Sequence, residues 1–153
     1  MFEQILKKLE SYCAYQDRSE WEVYQKALEL GCLPPSATKA VSILKEAGFV
    51  DEARYVQSAV RGKFKHNGWG KIKIKQYLKQ KKVPDNLIQN ALESEIAHEE
   101  YKKMLEKLGQ NKWKSLSSEK DAYKKKQKTI RFLVGRGFES NLILAQISKI
   151  SET

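Results

Sequence analysis

The stretch WGKIKIKQYLKQKKVPDNLIQNAL, residues 69–92, has the pattern of two helices joined by a tight turn. Apolar side chains recur every three or four residues in both halves, as Ile74 and Leu78 do, which places them on one face of a helix. The proline–aspartate pair between the halves is a typical start for the second helix. The pattern therefore predicts one helix over residues 70–82 and another that begins at residue 84.

The same unit of a long helix, a tight turn with an apolar residue and a short helix occurs three times along the chain. Two units have identical apolar separations of five and nine residues: Leu78, Val83 and Leu92 in one, and Leu133, Phe138 and Ile147 in the other. Leu28 and Leu33 repeat the separation of five, and the apolar pair that follows them comes one or two residues late. Because a further helix precedes each unit, the repeat predicts three consecutive three-helix modules.

We therefore predict an all-α fold of three tandem three-helix modules with helix-turn-helix topology, forming an elongated, curved array. The predicted modules are residues 1–50, 51–95 and 96–153. Periodicity, capping residues and breaks at glycine or proline predict nine helices in all. For four of these helices the sequence predicts both the first and the last residue: 19–30, 35–47, 70–82 and 118–134.

Composition agrees with a helical protein and excludes several other classes. The 153 residues include 8 glycines and 3 prolines, fewer than the frequent turns of an all-β fold require. No apolar run reaches the ~18 residues of a membrane span, and the N-terminus lacks the pattern of a signal peptide. The two cysteines and two histidines have no metal-ligand spacing. We therefore expect a cytoplasmic protein with no metal, no cofactor and no membrane association.

The charge is strongly one-sided in the last two thirds of the chain. The net charge is +10, from 29 basic and 19 acidic residues. Residues 1–50 have six basic and seven acidic side chains, whereas stretches 61–82 and 124–137 have basic residues and no acidic ones. Solvated helix faces usually mix both signs, so this pattern favours a polyanionic partner such as nucleic acid, with simple solubility as the alternative.

The candidate binding residues come from these stretches and from the helix that leads into them. Twelve residues form this predicted surface for nucleic acid or a nucleoprotein filament: Arg54, Arg61, Lys63, Lys65, Trp69, Lys71, Lys73, Lys75, Lys124, Lys128, Arg131 and Arg136. Trp69 is included because an exposed ring among lysines can stack on unpaired bases. Most of the basic residues precede the third helix of their module, which argues against base readout in the major groove.

Catalytic machinery is not expected. The sequence lacks GxxxxGK[ST], so we predict no phosphate-cradling loop and no ATP hydrolysis by this chain. The glycine-containing segments 68–70 and 135–137 are interpreted as structural turns. The acidic pair Asp51 and Glu52 is explained by a helix N-terminus, where negative charge is stabilising. We predict a protein that is not an enzyme.

Several segments carry a resemblance to a known family. They are YCAYQDRS at residues 12–19, FVDEARYV at 49–56, VRGKFK at 60–65 and FLVGRGFE at 132–139. Together they resemble the RecX family of bacterial regulatory proteins, which modulate the RecA recombinase. The resemblance implies a protein that binds in the groove of the RecA filament on single-stranded DNA and suppresses the RecA ATPase and strand exchange.

The partners implied are therefore the RecA filament and single-stranded DNA, with double-stranded DNA as a further candidate, and we expect a monomer. Two other functions stay open from the residues alone. One is a free-standing DNA-binding protein built from repeated helix-turn-helix modules. The other is a helical adaptor whose basic surface confers solubility and has no role in nucleic-acid binding.

Overall fold

The computed structural model describes residues 1–152. Within them the chain forms nine α-helices and no strand, which confirms the predicted all-α class. The helices are α1 (Phe2–Tyr15), α2 (Glu20–Glu29), α3 (Pro34–Glu46), α4 (Glu52–Lys65), α5 (Lys71–Gln80), α6 (Asp85–Glu95), α7 (His98–Ser115), α8 (Ala122–Gly135) and α9 (Ser140–Ser151).

Local capping signals explain where several of these helices begin. Ser19 and Glu22 form a reciprocal capping box at the start of α2: the Ser19 Oγ accepts from the Glu22 N–H, and the Glu22 carboxylate accepts from the Ser19 N–H, both at 3.0 Å. Pro34 occupies the first position of α3, where a backbone N–H would have no hydrogen-bond acceptor within the helix. Both starts follow the sequence prediction to within one residue.

The predicted start of α8 at residue 118 is wrong by four residues. The helix begins at Ala122 because Asp121 caps it, with its carboxylate accepting from the N–H groups of Tyr123 and Lys124 at 2.9 and 3.2 Å. The preceding helix, α7, continues to Ser115. A short turn therefore occupies the residues that the sequence pattern assigned to the start of α8.

The described residues divide into two compact units. The first comprises Met1–Ala59 and Leu78–Ala91, and the second comprises Val60–Tyr77 and the chain from Leu92 onward. Helices α4, α5 and α6 thus contribute residues to both units. The three-module boundaries at residues 50/51 and 95/96 stay a prediction.

The first unit has an apolar core that contains both cysteines. Its fully buried side chains include Leu9, Val23 and Leu44 from α1, α2 and α3. Cys13 and Cys32 are buried free thiols in the same core. Burial raises the pKa of the Cys13 thiol above its ordinary value, so the group stays protonated and behaves as a small apolar side chain.

The second unit is built around stacked aromatic rings. Phe64 and Phe138 are both buried, and each packs against the ring of Tyr101, with centroids 5.9 and 5.2 Å away. Ile74 of α5 and Leu133 of α8 are fully buried as well. Ile74, Leu133 and Phe138 are positions at which the sequence pattern predicts apolar side chains.

Two glycine turns of the second unit touch each other through their backbones. The Gly70 N–H donates to the Arg136 carbonyl at 2.7 Å, and the Ile72 N–H donates to the Gly137 carbonyl at 3.0 Å. A Cβ atom on Gly137 would overlap the side chain of Lys73 and lie 2.6 Å from its backbone nitrogen. The start of α5 is thereby anchored to the turn between α8 and α9.

Candidate nucleic-acid interface

Two lysines and two aromatic rings meet where α4 leads into α5. The Lys63 Nζ lies 4.8 Å from the centroid of the Trp69 ring and 4.6 Å from that of Tyr77, and the Lys73 Nζ lies 4.5 Å from the Trp69 ring. The rings contact edge to face, with centroids 5.8 Å apart. We call Lys63, Trp69, Lys73 and Tyr77 the lysine–aromatic cluster.

The local sequence explains how this cluster forms. Lys73 and Tyr77 are four residues apart on α5, so one helix face presents both. Lys63 lies in the last turn of α4, and Trp69 lies in the short connection that brings α5 back beside it. Cation–π attraction holds the ammonium groups against the rings while leaving their hydrogen-bond donors available.

The cluster concentrates positive charge at one place. Two ammonium groups within 5 Å of the same half-buried Trp69 ring repel each other, and a bound phosphate that contacts both relieves that repulsion. Lys63, Trp69 and Lys73 are among the twelve predicted residues, whereas Tyr77 is not. Tyr77 is half-buried. The signal that it belongs to the cluster is its four-residue spacing from Lys73.

Lys71 is held at the start of α5 by Tyr101. Its N–H donates to the Tyr101 hydroxyl oxygen at 3.0 Å, and its Nζ lies 4.7 Å from the ring centroid. The Tyr101 hydroxyl in turn donates to the Glu139 carboxylate. Burial, reinforced by that hydrogen bond, raises the pKa of Tyr101, so the hydroxyl stays a neutral donor at physiological pH.

Arg136 fastens the turn that carries Trp69. Its Nη1 donates to the Asn67 carbonyl oxygen at 2.6 Å, and its Cζ lies 5.2 Å from the Phe132 ring centroid. Its own carbonyl accepts from Gly70. Arg136 therefore positions the lysine–aromatic cluster through the turn, in addition to any direct contact that its charge makes.

Three other predicted residues form ion pairs with acidic side chains. The Arg54 Nε lies 2.9 Å from the Asp17 carboxylate, the Arg61 Nη1 lies 2.6 Å from that of Glu95, and the Lys128 Nζ lies 2.7 Å from that of Glu119. Arg54 also points toward the carbonyls of Gly48 and Phe49, at 3.5 and 3.4 Å. These pairs partly neutralise the positive charge that the sequence pattern assigns to the binding surface.

The predicted residues not yet described are Lys65, Lys75, Lys124 and Arg131, and all four are exposed. Lys65 and Lys75 extend from α4 and α5, and Lys124, Lys128 and Arg131 share one face of α8 at i, i+4 and i+7 spacing. Of the twelve predicted residues, Arg54 lies in the first compact unit and the other eleven lie in the second.

Two further features bear on the site. Residues 1–152 contain no group of three or more histidine, cysteine, aspartate or glutamate side chains arranged to hold a metal ion. Over the same residues, no helix is both long enough and apolar enough to cross a membrane.

Comparison with known proteins places these residues in a family. Residues 51–92 match the family model of the second three-helix domain of RecX, and residues 99–146 match that of the third. The two matches together span more than half of the 153 residues. The chain belongs to the RecX family. The first RecX match contains the whole lysine–aromatic cluster, and the second contains the α8 residues and Arg136.

Individual RecX proteins support the assignment. The regulatory protein RecX of Clostridium botulinum (strain Eklund 17B / Type B) is 35% identical over 127 residues, which are 82% of this chain and 58% of that protein. The regulatory protein RecX of Chlorobaculum tepidum is 32% identical over 118 residues, 77% of this chain and 70% of that protein. The chain thus spans little more than half the length of the Clostridium botulinum relative. Both relatives are described as regulatory proteins.

Solved RecX structures share the fold. The crystal structure of RecX from Lactobacillus salivarius superposes with a TM-score of 0.85 at 20% identity, covering 99% of this chain and 97% of that one. A second crystal structure, of a regulatory protein RecX, has a TM-score of 0.84 at 21% identity and covers 99% of this chain and 72% of that one. At these identities the likeness concerns the RecX fold alone.

Proposed function

We propose that this chain binds the RecA filament on single-stranded DNA and suppresses the RecA ATPase and strand exchange. The lysine–aromatic cluster carries the proposal, because it gathers two ammonium groups against one ring inside the segment that matches the second RecX domain. Membership of a family of regulatory proteins supports a role in control rather than catalysis.

The chemistry of the cluster suits a filament that holds DNA of any sequence. Lysines contact phosphates as point charges and carry no base specificity. Lys65, Lys71 and Lys75 extend the positive surface along the ends of α4 and α5. We further propose that the protein works as a monomer in the cytoplasm.

The test is ATP hydrolysis by RecA on single-stranded DNA, measured as this protein is titrated in. We expect inhibition at well below one molecule per RecA, because a regulator of a cooperative filament acts at few sites. No change in hydrolysis, with tight binding of duplex DNA, would support the free-standing DNA-binding protein instead. No change in hydrolysis and no binding of either DNA would leave the helical adaptor.

A further inference from the structure

A groove runs between α7 and α9 in the second compact unit. These two helices follow the residues of the lysine–aromatic cluster along the chain. Two adjoining cavities of about 390 and 460 Å³ form it, and both are lined by Gln146 and Lys149. Apolar side chains of both helices, Leu105, Leu142 and Ile150, contribute to its walls. From His98 to Trp113 the groove follows α7 for about 22 Å at the rise of an α-helix.

Gln146 is an unusual residue for this position. The residue as a whole has a relative exposure of 6%. Within residues 1–152 its amide makes no hydrogen bond, although it lines both cavities. Its carbonyl oxygen and N–H groups are therefore free to bond to a chain that enters the groove.

The type of polar group that this amide can satisfy limits the occupant. A glutamine amide offers one carbonyl and two N–H donors, which match the free N–H and C=O of an extended peptide backbone. A helical segment presents no such groups along its length, because its backbone bonds are already made within the helix. An unpartnered amide halfway along the groove therefore favours an extended chain over a docked helix.

The aromatic rings that border the groove favour a peptide over nucleic acid. Single-stranded nucleic acid binds by stacking bases on open aromatic faces. The Tyr101 ring is already packed against Phe64 and Phe138 and faces the Lys71 ammonium, and the Trp113 ring has the Lys125 ammonium 4.3 Å from its centroid. The walls that remain open to an occupant are aliphatic.

The rim of the groove is basic. Four lysines border the two cavities, against two glutamates: Lys71, Lys102, Lys114 and Lys149, with Glu106 and Glu139. Glu139 already accepts the hydrogen of the Tyr101 hydroxyl, so its carboxylate is partly compensated. The charge of the rim therefore complements a negatively charged segment with apolar side chains.

We propose that the α7–α9 groove binds an extended acidic peptide segment of a partner protein. The apolar side chains of the segment insert between Leu105 and Leu142, its backbone pairs with the Gln146 amide, and its carboxylates contact Lys102 and Lys149. This inference is independent of the proposed function, because it uses neither RecA nor DNA.

The test is a nitrogen-15 NMR titration of the full chain with two synthetic eight-residue peptides. Both have leucines two positions apart, so that an extended chain presents them on one side, and the other positions are aspartate in one peptide and lysine in the other. We expect the aspartate peptide to shift the signals of Leu105, Ala145 and the Gln146 side-chain amide and to bind at least tenfold more tightly than the lysine peptide.

Groove variants assign the contacts. Lys102→Glu with Lys149→Glu should weaken binding of the aspartate peptide at least tenfold, and Gln146→Leu, which keeps the volume and removes the amide, should weaken it about fivefold. Lys103→Glu with Lys107→Glu is the matched control, because both lysines are exposed on α7 and border neither cavity. Helical circular dichroism shows whether each variant is folded.

Several outcomes would overturn the inference. They are equal affinity for the two peptides, no shift with either, or unchanged affinity in the Lys102/Lys149 double variant. A poly-dT oligonucleotide that shifts the groove signals when the aspartate peptide does not would assign the groove to nucleic acid instead. The peptide titrations contain no RecA. Their failure would therefore not count against the proposed function, and failure of the RecA test would not count against this inference.

Discussion

At the scale of single residues, two glycines let the backbones of two turns pack against each other. Gly70 and Gly137 allow the backbones of two turns to approach closely enough for direct hydrogen bonds. Gly137 also has a φ of +94°, a conformation that residues with a Cβ rarely adopt. Sequence repeats place glycine in a turn, but only the folded chain reveals that a neighbouring backbone fills the space of the missing side chain.

Gly137→Ala should therefore destabilise the protein by about 3 kcal/mol, from the clash with Lys73 and the positive φ together. Gly135→Ala is the matched control two residues away, since a Cβ there has no atom within 4 Å. That control should lie within about 1 kcal/mol of the unmodified chain, in the stabilising direction of alanine in a helix. Urea unfolding measures both, and equal losses would contradict the packing argument.

Glu52, at the start of α4, is a carboxyl group whose pKa is raised by its surroundings. Burial, together with the nearby Glu20 carboxylate, raises its pKa to about 7 from an ordinary value of 4.5, although it accepts a hydrogen bond from the Glu20 N–H at 3.3 Å. Lys45 pairs with Glu20 at 2.7 Å and offsets part of this effect. Glu52 therefore binds a proton more tightly in the folded chain than in the unfolded one.

This shift predicts a loss of stability as the pH rises from about 4.5 to about 7, because the folded chain holds the extra proton over that window. Since the side chain is partly exposed, we expect a contribution on the order of 1 kcal/mol. Glu52→Gln keeps the acceptor oxygen and should remove this part of the pH dependence in denaturant unfolding at pH 5 and 8. Glu46→Gln, at an exposed site, should not. Identical pH slopes for Glu52→Gln and the unmodified chain would refute the assignment.

At the scale of helices, the N-cap residue Asp121 determines where α8 begins. This helix carries the predicted binding residues Lys124, Lys128 and Arg131. Asp121→Ala removes two hydrogen bonds to the first turn and should lower the free energy of unfolding by about 1 kcal/mol. Ser118→Ala tests the start that periodicity predicts and should change it by less than ~0.5 kcal/mol, because Ser118 is exposed and outside the helix. The reverse order of effects in thermal unfolding would favour the earlier start.

Local patterns were sufficient to predict the helices and their buried faces. Ile74, Leu78 and Phe138 are buried as their spacing predicts, and the capping box at Ser19 forms as its residues indicate. The α8 boundary was misplaced because serine and glutamate at 118–119 imitate a helix start. Only the carboxylate of Asp121 makes the capping bonds.

The partners of the basic residues could not be predicted from local patterns. Arg61 pairs with Glu95 across 34 positions, and Arg136 bonds to Asn67 across 69. Such contacts depend on how the helices pack against one another, and the periodicity of a single helix carries no information about that packing. Tyr77 shows the same limit, since its spacing on α5 fits a buried face and a cluster of cations equally well.

At the scale of the whole molecule, the positive charge is concentrated in the part of the chain that follows residue 60. If that charge contacts DNA, affinity for single strands should fall with salt at a slope of about −0.7 per phosphate in log–log form. The Lys63→Glu, Lys73→Glu double variant should make the slope shallower by roughly 1.4, because two phosphate contacts are lost. Fluorescence anisotropy of a labelled poly-dT oligonucleotide measures it. A slope near zero for the unmodified chain would mean that the lysines serve only solubility.

The most direct test is RecA ATP hydrolysis on single-stranded DNA with the Lys63→Glu, Lys73→Glu double variant. Its matched control reverses Lys7 and Lys39, two lysines on exposed positions of α1 and α3. We predict that the unmodified chain and the control inhibit hydrolysis equally, whereas the cluster variant keeps its helical circular dichroism and loses inhibition by at least tenfold in the concentration required. Equal inhibition by the two variants would contradict the claim that the lysine–aromatic cluster is the functional surface.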